Sequence, residues 1–245
     1  MSRTFVVGDV HGERELLEQL LAKLPWIAPE DTIVFLGDYL DRGPDSRGVV
    51  ERLRRLPEET AGKVVCLRGN HEDAWIESLD EPKVGFLLPQ GNGCASTYRS
   101  YLGIDRELEL TADQMSALFE PRTWMPAPHA AWMRQLPTWY EDDHAIYVHA
   151  GLEGEGAAWR HPRDSATAAL LWMREPDFWA QYEGKALVFG HTPTADLPPA
   201  DETRRTIWRR GPLVGLDTGA GRGGPLTAIA LPDGEVFTSS SDTSR

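Results

Sequence analysis

The chain reads as an α/β fold in which a parallel sheet covered by helices is joined to a more β-rich second half. Three observations lead to this reading. Strand-like and helix-like runs alternate in βαβαβ order through the first third. Glycine-flanked polar residues follow one strand-like run after another. At 245 residues and 41% apolar content, there is enough material for one substantial core, and a single domain over residues 1–245 is expected.

Thr4 to Val7 is apolar and β-prone. Glu13 to Leu24 then carries Leu16, Leu17, Leu20, Leu21 and Leu24 at helical spacing and is closed by Pro25. The pattern repeats as strand Thr32 to Leu36, a helix from Ser46 to Leu56 ending before Pro57, strand Lys63 to Leu67, and a helical stretch from Glu72 to Leu79. From Asp80 to Pro137 the periodicity weakens. Pro82, Pro89, Pro121, Pro126 and Pro128 interrupt it, and Gly91-Asn92-Gly93 marks a tight turn or loop. This segment is read as a partly helical insertion. Strand patterns return at Ala145 to Val148, Leu187 to Phe189, Leu213 to Leu216, Leu226 to Leu231 and Val236 to Thr238, with one helical piece near Ala166 to Met173.

Composition excludes several function classes. A formal charge of −13 opposes binding to extended nucleic acid, whose nonspecific affinity comes from Lys and Arg neutralising phosphates. A small phosphate ester remains compatible, because divalent cations can reverse the potential inside one acidic pocket. No apolar run is long enough to span a membrane. The N-terminus shows no signal-peptide pattern, so a cytoplasmic protein is expected. Two cysteines, Cys66 and Cys94, are too few for a disulfide framework, and Cys66 reads as a packed thiol. Oligomeric state has no sequence signature here.

The polar residues after the strands are of a restricted kind: Gly8-Asp9-Val10-His11-Gly12, Gly37-Asp38-Tyr39-Leu40-Asp41-Arg42-Gly43 and Gly69-Asn70-His71-Glu72, then His149-Ala150-Gly151 and Gly190-His191-Thr192. In open α/β sheets, ligands bind outside the carboxyl ends of strands. Pooled, Asp9, His11, Asp38, Asn70, His149 and His191 offer two carboxylates, three imidazoles and one amide carbonyl. Such a mixed N/O set without thiolate suits borderline or hard divalent ions, and its size suits two ions sharing a carboxylate.

Taken together and in this order, GDVHG, GDYLDRG, GNHE, HAG and GHT resemble the signature of the phosphoprotein phosphatases, within the calcineurin-like metallophosphoesterases. The similarity extends through Leu136-Pro137 before Tyr140-Glu141, Trp172-Met173-Arg174-Glu175 and Asp217-Thr218-Gly219-Ala220. The short chain is similar to the compact bacterial and phage branch typified by the phage lambda phosphatase.

The resemblance implies a sandwich of central mixed β-sheets flanked by helices, with the active site at the C-terminal ends of strands. It places Asp9 and His11 on a first metal and Asn70, His149 and His191 on a second, with Asp38 bridging them. It also implies direct attack by a metal-bridging hydroxide, two manganese ions as cofactors with iron or zinc also suited, and His71 as the proton donor oriented by Asp41. Arg42 and Arg174 would clamp the phosphate oxygens, with Asn70 also beside the substrate.

The function so implied is a metal-dependent phosphomonoesterase, a serine/threonine protein phosphatase that also accepts small aryl phosphates. Two other readings are a symmetrical diadenosine tetraphosphatase or other small-nucleotide phosphohydrolase, disfavoured by Asp41 and Glu72, and an inactive phosphoprotein-binding module. His129, His144 and His161 are assigned to surface or local packing. Trp124, Trp132, Trp139 and Trp172 could line a substrate groove, but they are assigned to core and insertion contacts and to no recognition role. Asp217 reads either as an outer partner of a metal ligand or as a turn residue.

Overall fold

Side-chain alternation along short apolar strands explains how two sheets come to face each other. The structure, a computed structural model, describes residues 2–155 and 158–239. It opens with β1 (Thr4–Val7), α1 (Arg14–Lys23), β2 (Thr32–Phe35), α2 (Ser46–Glu59), β3 (Lys63–Cys66) and α3 (Asn70–Ser78). Four helices occupy the predicted insertion: α4 (Val84–Leu87), α5 (Cys94–Leu102), α6 (Ala112–Leu118) and α7 (Ala127–Gln135). The remainder contributes β4 (Trp139–Glu141), β5 (Ile146–Val148), β6 (Gly154–Glu155), β7 (Ala158–Trp159), α8 (Thr167–Trp172), α9 (Pro176–Gln181) and β8 (Leu187–Phe189). It closes with β9 (Trp208–Arg210), β10 (Leu213–Gly215), β11 (Thr227–Leu231) and β12 (Glu235–Thr238).

One sheet has the order β12-β11-β1-β2-β3 and the other β4-β5-β8-β10-β9, while β6 and β7 form a small hairpin. β1, β2 and β3 run parallel, as do β5, β8 and β10; β11 and β12, like β4 and β9, are antiparallel additions. Successive side chains point to opposite faces of a strand. Val6, Val34 and Val65 accordingly meet Tyr147, Val188 and Leu216 in a core between the sheets. Their neighbours Phe5, Val7, Ile33 and Phe35 turn the other way, onto Leu17, Leu20, Val49 and Leu53 of α1 and α2. The second sheet packs its outer face, including Ile146, Val148 and Phe189, against Leu170, Phe178 and Trp179 of α8 and α9. The expected sandwich of mixed sheets flanked by helices is what the chain forms.

Three expectations about elements are corrected: the one helical piece expected near Ala166 to Met173 is followed by a second helix, α9, which at six residues is too short to show a periodicity. Helix α2 does not stop before Pro57 but runs to Glu59 with Pro57 inside it. Proline there lacks the N–H that would bond the Leu53 carbonyl, but Leu53 and Leu56 are buried against the core, and Arg52 Nη1 spans the proline to Glu59 Oε2 at 2.9 Å. β4 and β9 were not anticipated. Both are three-residue edge strands, and β9 carries the exposed Arg209 and Arg210, the charged pattern that protects sheet edges and hides them from an apolar-run reading.

Candidate metal centre

Strand register determines where the motifs arrive. Val7 pairs with Phe35 and Phe35 with Cys66, so β1, β2 and β3 end level. In the second sheet Tyr147 pairs with Val188 and Phe189 with Gly215. The loops after five of these strands therefore emerge together, and glycine allows them to touch. A Cβ on Gly37, whose φ is +111°, would stand 2.6 Å from the Gly69 nitrogen. A Cβ on Gly190 would stand 2.0 Å from Asp9 Oδ1. Among the described residues, the non-glycine positions with positive φ are His11, Asp38, Asp41, Arg42 and His191, at 46°, 54°, 72°, 66° and 63°. Each costs on the order of 1–3 kcal/mol and persists only where surrounding contacts enforce it, a pattern that clusters at functional sites.

Asp38 lies at the middle. Its Oδ1 faces His149 Nε2 at 3.4 Å, while its Oδ2 faces His11 Nε2 at 3.4 Å and His71 Nε2 at 3.8 Å. One carboxylate thus belongs to two donor groups, His11/Asp38/His71 and Asp38/His149/His191, each with its ligand atoms within 4.8 Å of one another. Asn70 Oδ1 joins the second, 2.9 Å from His149 Nε2 and 2.8 Å from His191 Nδ1.

The tautomers of these histidines show why the donor set fits cations. His149 Nδ1 donates to the Leu36 carbonyl and His11 Nδ1 to the Leu40 carbonyl, each at 2.9 Å. Their Nε2 atoms therefore carry lone pairs aimed at the oxygens of Asp38 and Asn70. Burial lowers the pKa of His149 and holds His11 well below its ordinary value, with the Arg42 charge adding to the effect on His11. Burial, His149 and Arg174 take His191 down to about 2. Asp38 is pulled below the usual carboxylate range: burial opposes its ionisation, but the surrounding imidazoles outweigh it. The His149 lone pair, the Asn70 oxygen and the Asp38 carboxylate converge as a cation-binding arrangement, while the His11 lone pair faces both Asp38 and the Arg42 guanidinium.

His71 is held differently. Its Nδ1 lies 2.6 Å from Asp41 Oδ2, and although burial alone would lower its pKa, Asp38 and the Asp41 hydrogen bond leave it raised. Asp41 is itself locked in place. Trp75 Nε1 donates to its Oδ1 at 3.0 Å, Thr97 Oγ1 donates to the same oxygen at 2.5 Å, and Cys94 Sγ approaches Oδ2 at 3.6 Å. Trp75 sits one turn after His71 on α3, so both residues address Asp41 from one helix face.

A scan against protein-family models matches residues 2–195 to the calcineurin-like phosphoesterase family. The chain belongs to that family. Among its relatives is the asymmetrical bis(5'-nucleosyl)-tetraphosphatase PrpE of Oceanobacillus iheyensis, 26% identical over 261 residues, covering 95% of this chain and 90% of that protein. A solved structure of a candidate diadenosine tetraphosphatase superposes with a TM-score of 0.66 at 23% identity, covering 96% of this chain and 92% of that one. A cold-active protein-tyrosine phosphatase from a Shewanella species gives 0.58 at 17% identity, with coverages of 97% and 80%. These structural likenesses concern the fold.

Within this phosphoesterase, the remaining predicted residues are less uniformly placed. The Asp9 carboxylate accepts the His191 backbone N–H at 3.0 Å, and burial together with Asp217 and Asp38 raises its pKa well above the ordinary value. Arg42 does not reach into an open cleft. Its Nη1 closes on His11 Nε2 and its Nη2 lies 3.3 Å from His71 Nε2. Arg174 is exposed and donates through Nη2 to the His191 carbonyl at 3.3 Å.

Three further residues take part in building the site. Asp217 stands at the end of β10 as Asp9 does after β1, and burial raises its pKa to about 6. The strand-end pattern contained that signal. Glu72, fully buried, accepts backbone N–H groups of Asp38, Tyr39 and Gly69 at 2.8, 2.8 and 2.9 Å, tying the second motif to the third. Thr97 comes from the weakly patterned insertion, and nothing in its local sequence marks it.

His129 bonds Tyr101 and Glu51, His144 the Ser2 carbonyl, and His161 Glu141, as expected of packing residues. Trp172 makes an expected insertion contact, with Phe86, but is not a core residue. It is 43% exposed, with its ring 6.3 Å from that of His191.

Proposed function

We propose that this phosphoesterase hydrolyses the polyphosphate bridge of dinucleoside polyphosphates, releasing a nucleoside monophosphate and a nucleoside triphosphate from the tetraphosphate. The observation that carries the chemistry is Asp38, shared between two buried donor groups. The relatives aligned over 95% of the chain, named as asymmetrical tetraphosphatases, support the substrate class. On this reading Asp9 and His11 hold one divalent cation, Asn70, His149 and His191 a second, and Asp38 both. Manganese suits these donors, as do iron and zinc.

Bound there, the cations would supply Lewis acidity toward phosphate oxygens and an acidified water. The chain's own residues do the rest. Glu72 and the Gly37 and Gly69 contacts keep Asp38 in its left-handed backbone conformation between the donor groups. His71, with Nδ1 committed to Asp41, presents Nε2 to the leaving oxygen as proton donor. Arg42 and Arg174 supply planar guanidinium groups for nonbridging oxygens, with Asn70 alongside.

A second reading, serine/threonine phosphomonoesterase, is favoured by one specific feature. The Asp41–His71 pair is a tightly held proton donor, and an alkoxide leaving from phosphoserine needs a proton more than a departing nucleotide does. Diadenosine tetraphosphate and a phosphoserine peptide, assayed side by side with manganese, separate the two readings. The expected result is AMP and ATP from the dinucleotide, at the higher kcat/KM. Release of two ADP, or preference for the peptide, overturns the proposal.

A further inference from the structure

Four aromatic rings form a continuous chain across the mouth of the site. Phe86, on α4, packs edge-to-face on the proton-donor candidate His71, with centroids 5.0 Å apart and planes at 76°. Trp172 meets Phe86 edge-to-face at 5.8 Å and 90°, and then meets His191 at 6.3 Å and 78°. The two ends of this chain are therefore site imidazoles, and the two middle rings come from segments far apart in sequence.

The backbone explains why Trp172 faces outward. It is the last residue of α8, and the chain continues extended through Met173, with φ −61° and ψ 134°. Leu171 and Met173 are buried while Trp172 and Arg174 are exposed. This alternation sets the indole and the guanidinium on one side, where one meets the His191 ring and the other the His191 carbonyl. An indole left 43% exposed forgoes burial that a tryptophan ordinarily obtains, although its neighbours Leu170 and Leu171 are fully packed. Phe86 is half-buried and meets the Trp172 ring edge-to-face.

We propose that Phe86 and Trp172 form a shelf in which the indole face stacks the nucleobase of the substrate and the Phe86 ring, at 90° to it, walls one side, while the phosphate chain lies over Asp38, Arg42 and Arg174. This deepens the dinucleotide reading above and rests on it for the identity of the ring. Base–aromatic stacking is sequence-tolerant because every base has a π-face. The shelf therefore selects for a nucleotide without selecting among bases. Phe86 borders the proton-donor candidate His71 and Trp172 borders His191, whose carbonyl holds Arg174, so the shelf runs from one site imidazole to the other.

The test is binding of AMP and of ribose 5-phosphate to the manganese-loaded protein by titration calorimetry, in the wild type and in Trp172→Ala, Trp172→Phe and Phe86→Ala. The two ligands share phosphate and ribose and differ only in the base. The wild type should prefer AMP by about tenfold, within the range that one stacked base supplies. Trp172→Ala and Phe86→Ala should reduce that preference to within about twofold, with ribose 5-phosphate affinity unchanged, and Trp172→Phe should restore most of it. Equal wild-type affinities, no measurable AMP binding, or a preference that survives both alanine variants overturns the shelf. Phenyl phosphate provides a further arm. Binding to the wild type more tightly than AMP would mean that the shelf serves an aryl phosphate instead. Because no turnover is read, a wild type that fails to cleave the dinucleotide yet prefers AMP refutes the proposed reaction and leaves the shelf standing.

Discussion

At the floor of the site, Asp38, His11, His149 and Asn70 are buried, and each has fixed backbone or side-chain partners from adjoining strand ends. At the rim, Trp172 and Arg174 are exposed and lean on His191 from the end of a short helix. The floor is assembled from parallel strands in strict register, with glycines where loops must touch. The rim is assembled from α4 and α8, two helices of four and six residues. Such a difference separates two jobs: the rigid floor can hold charge at set distances, while the rim can vary to suit a substrate without disturbing the floor.

The contrast can be broken most severely at the floor. His191→Ala should remove activity toward every phosphate substrate, by more than the roughly hundredfold that losing an outer partner of a metal ligand costs. Turnover of the dinucleotide at fixed manganese is the check, and near-normal rates would place His191 outside the centre. His71→Gln comes next, with an expected fall in kcat of about 10²–10⁴. The loss should be steeper for substrates with alkoxide leaving groups than for the anhydride, so comparing the two leaving groups in the same variant tests the proton-donor role.

A smaller effect sharpens the comparison from between floor and rim. Thr97→Val removes one donor from Asp41 and keeps the side-chain shape. An approximately tenfold fall in kcat, at the low end for outer partners, should accompany an unchanged KM. An altered KM instead would assign Thr97 to substrate contact. The smallest effect is expected far from both regions. Lys185→Ala, which breaks a half-exposed pair with Glu141 at 3.0 Å, should leave kcat/KM unchanged and stability lowered by less than about 1 kcal/mol in denaturant unfolding.

The same contrast accounts for what could be read without coordinates. The floor is written locally: Asp9, Asp38, Asn70 and His191 each follow a glycine just past an apolar strand, His149 stands at the end of one with Gly151 two residues on, and a period-two pattern finds such positions. Asp217 shares the strand-end position but has no adjacent glycine, and one Asp-Thr-Gly after a strand also reads as a turn. Thr97 and Phe86 could not be found in this way. Their roles depend on α4 and α5 folding back over the second motif, and the proline-broken stretch that contains them has no periodicity aimed at the site. The exposure of Trp172 is hidden for a related reason, although its contact with the insertion is not. Aromatic residues ordinarily pack in cores, and only the extended turn after α8 sends this one outward. Helix α2 continues past Pro57 because buried leucines and the Arg52–Glu59 pair outweigh one missing backbone bond.

The account depends most on Asp38 serving two cations at once, and counting bound metal tests this directly. Equilibrium dialysis against manganese, followed by elemental analysis, should give two ions per wild-type chain, with occupancy of both sites weakened together in Asp38→Ala. One ion per chain, or two that are indifferent to the loss of Asp38, would contradict it.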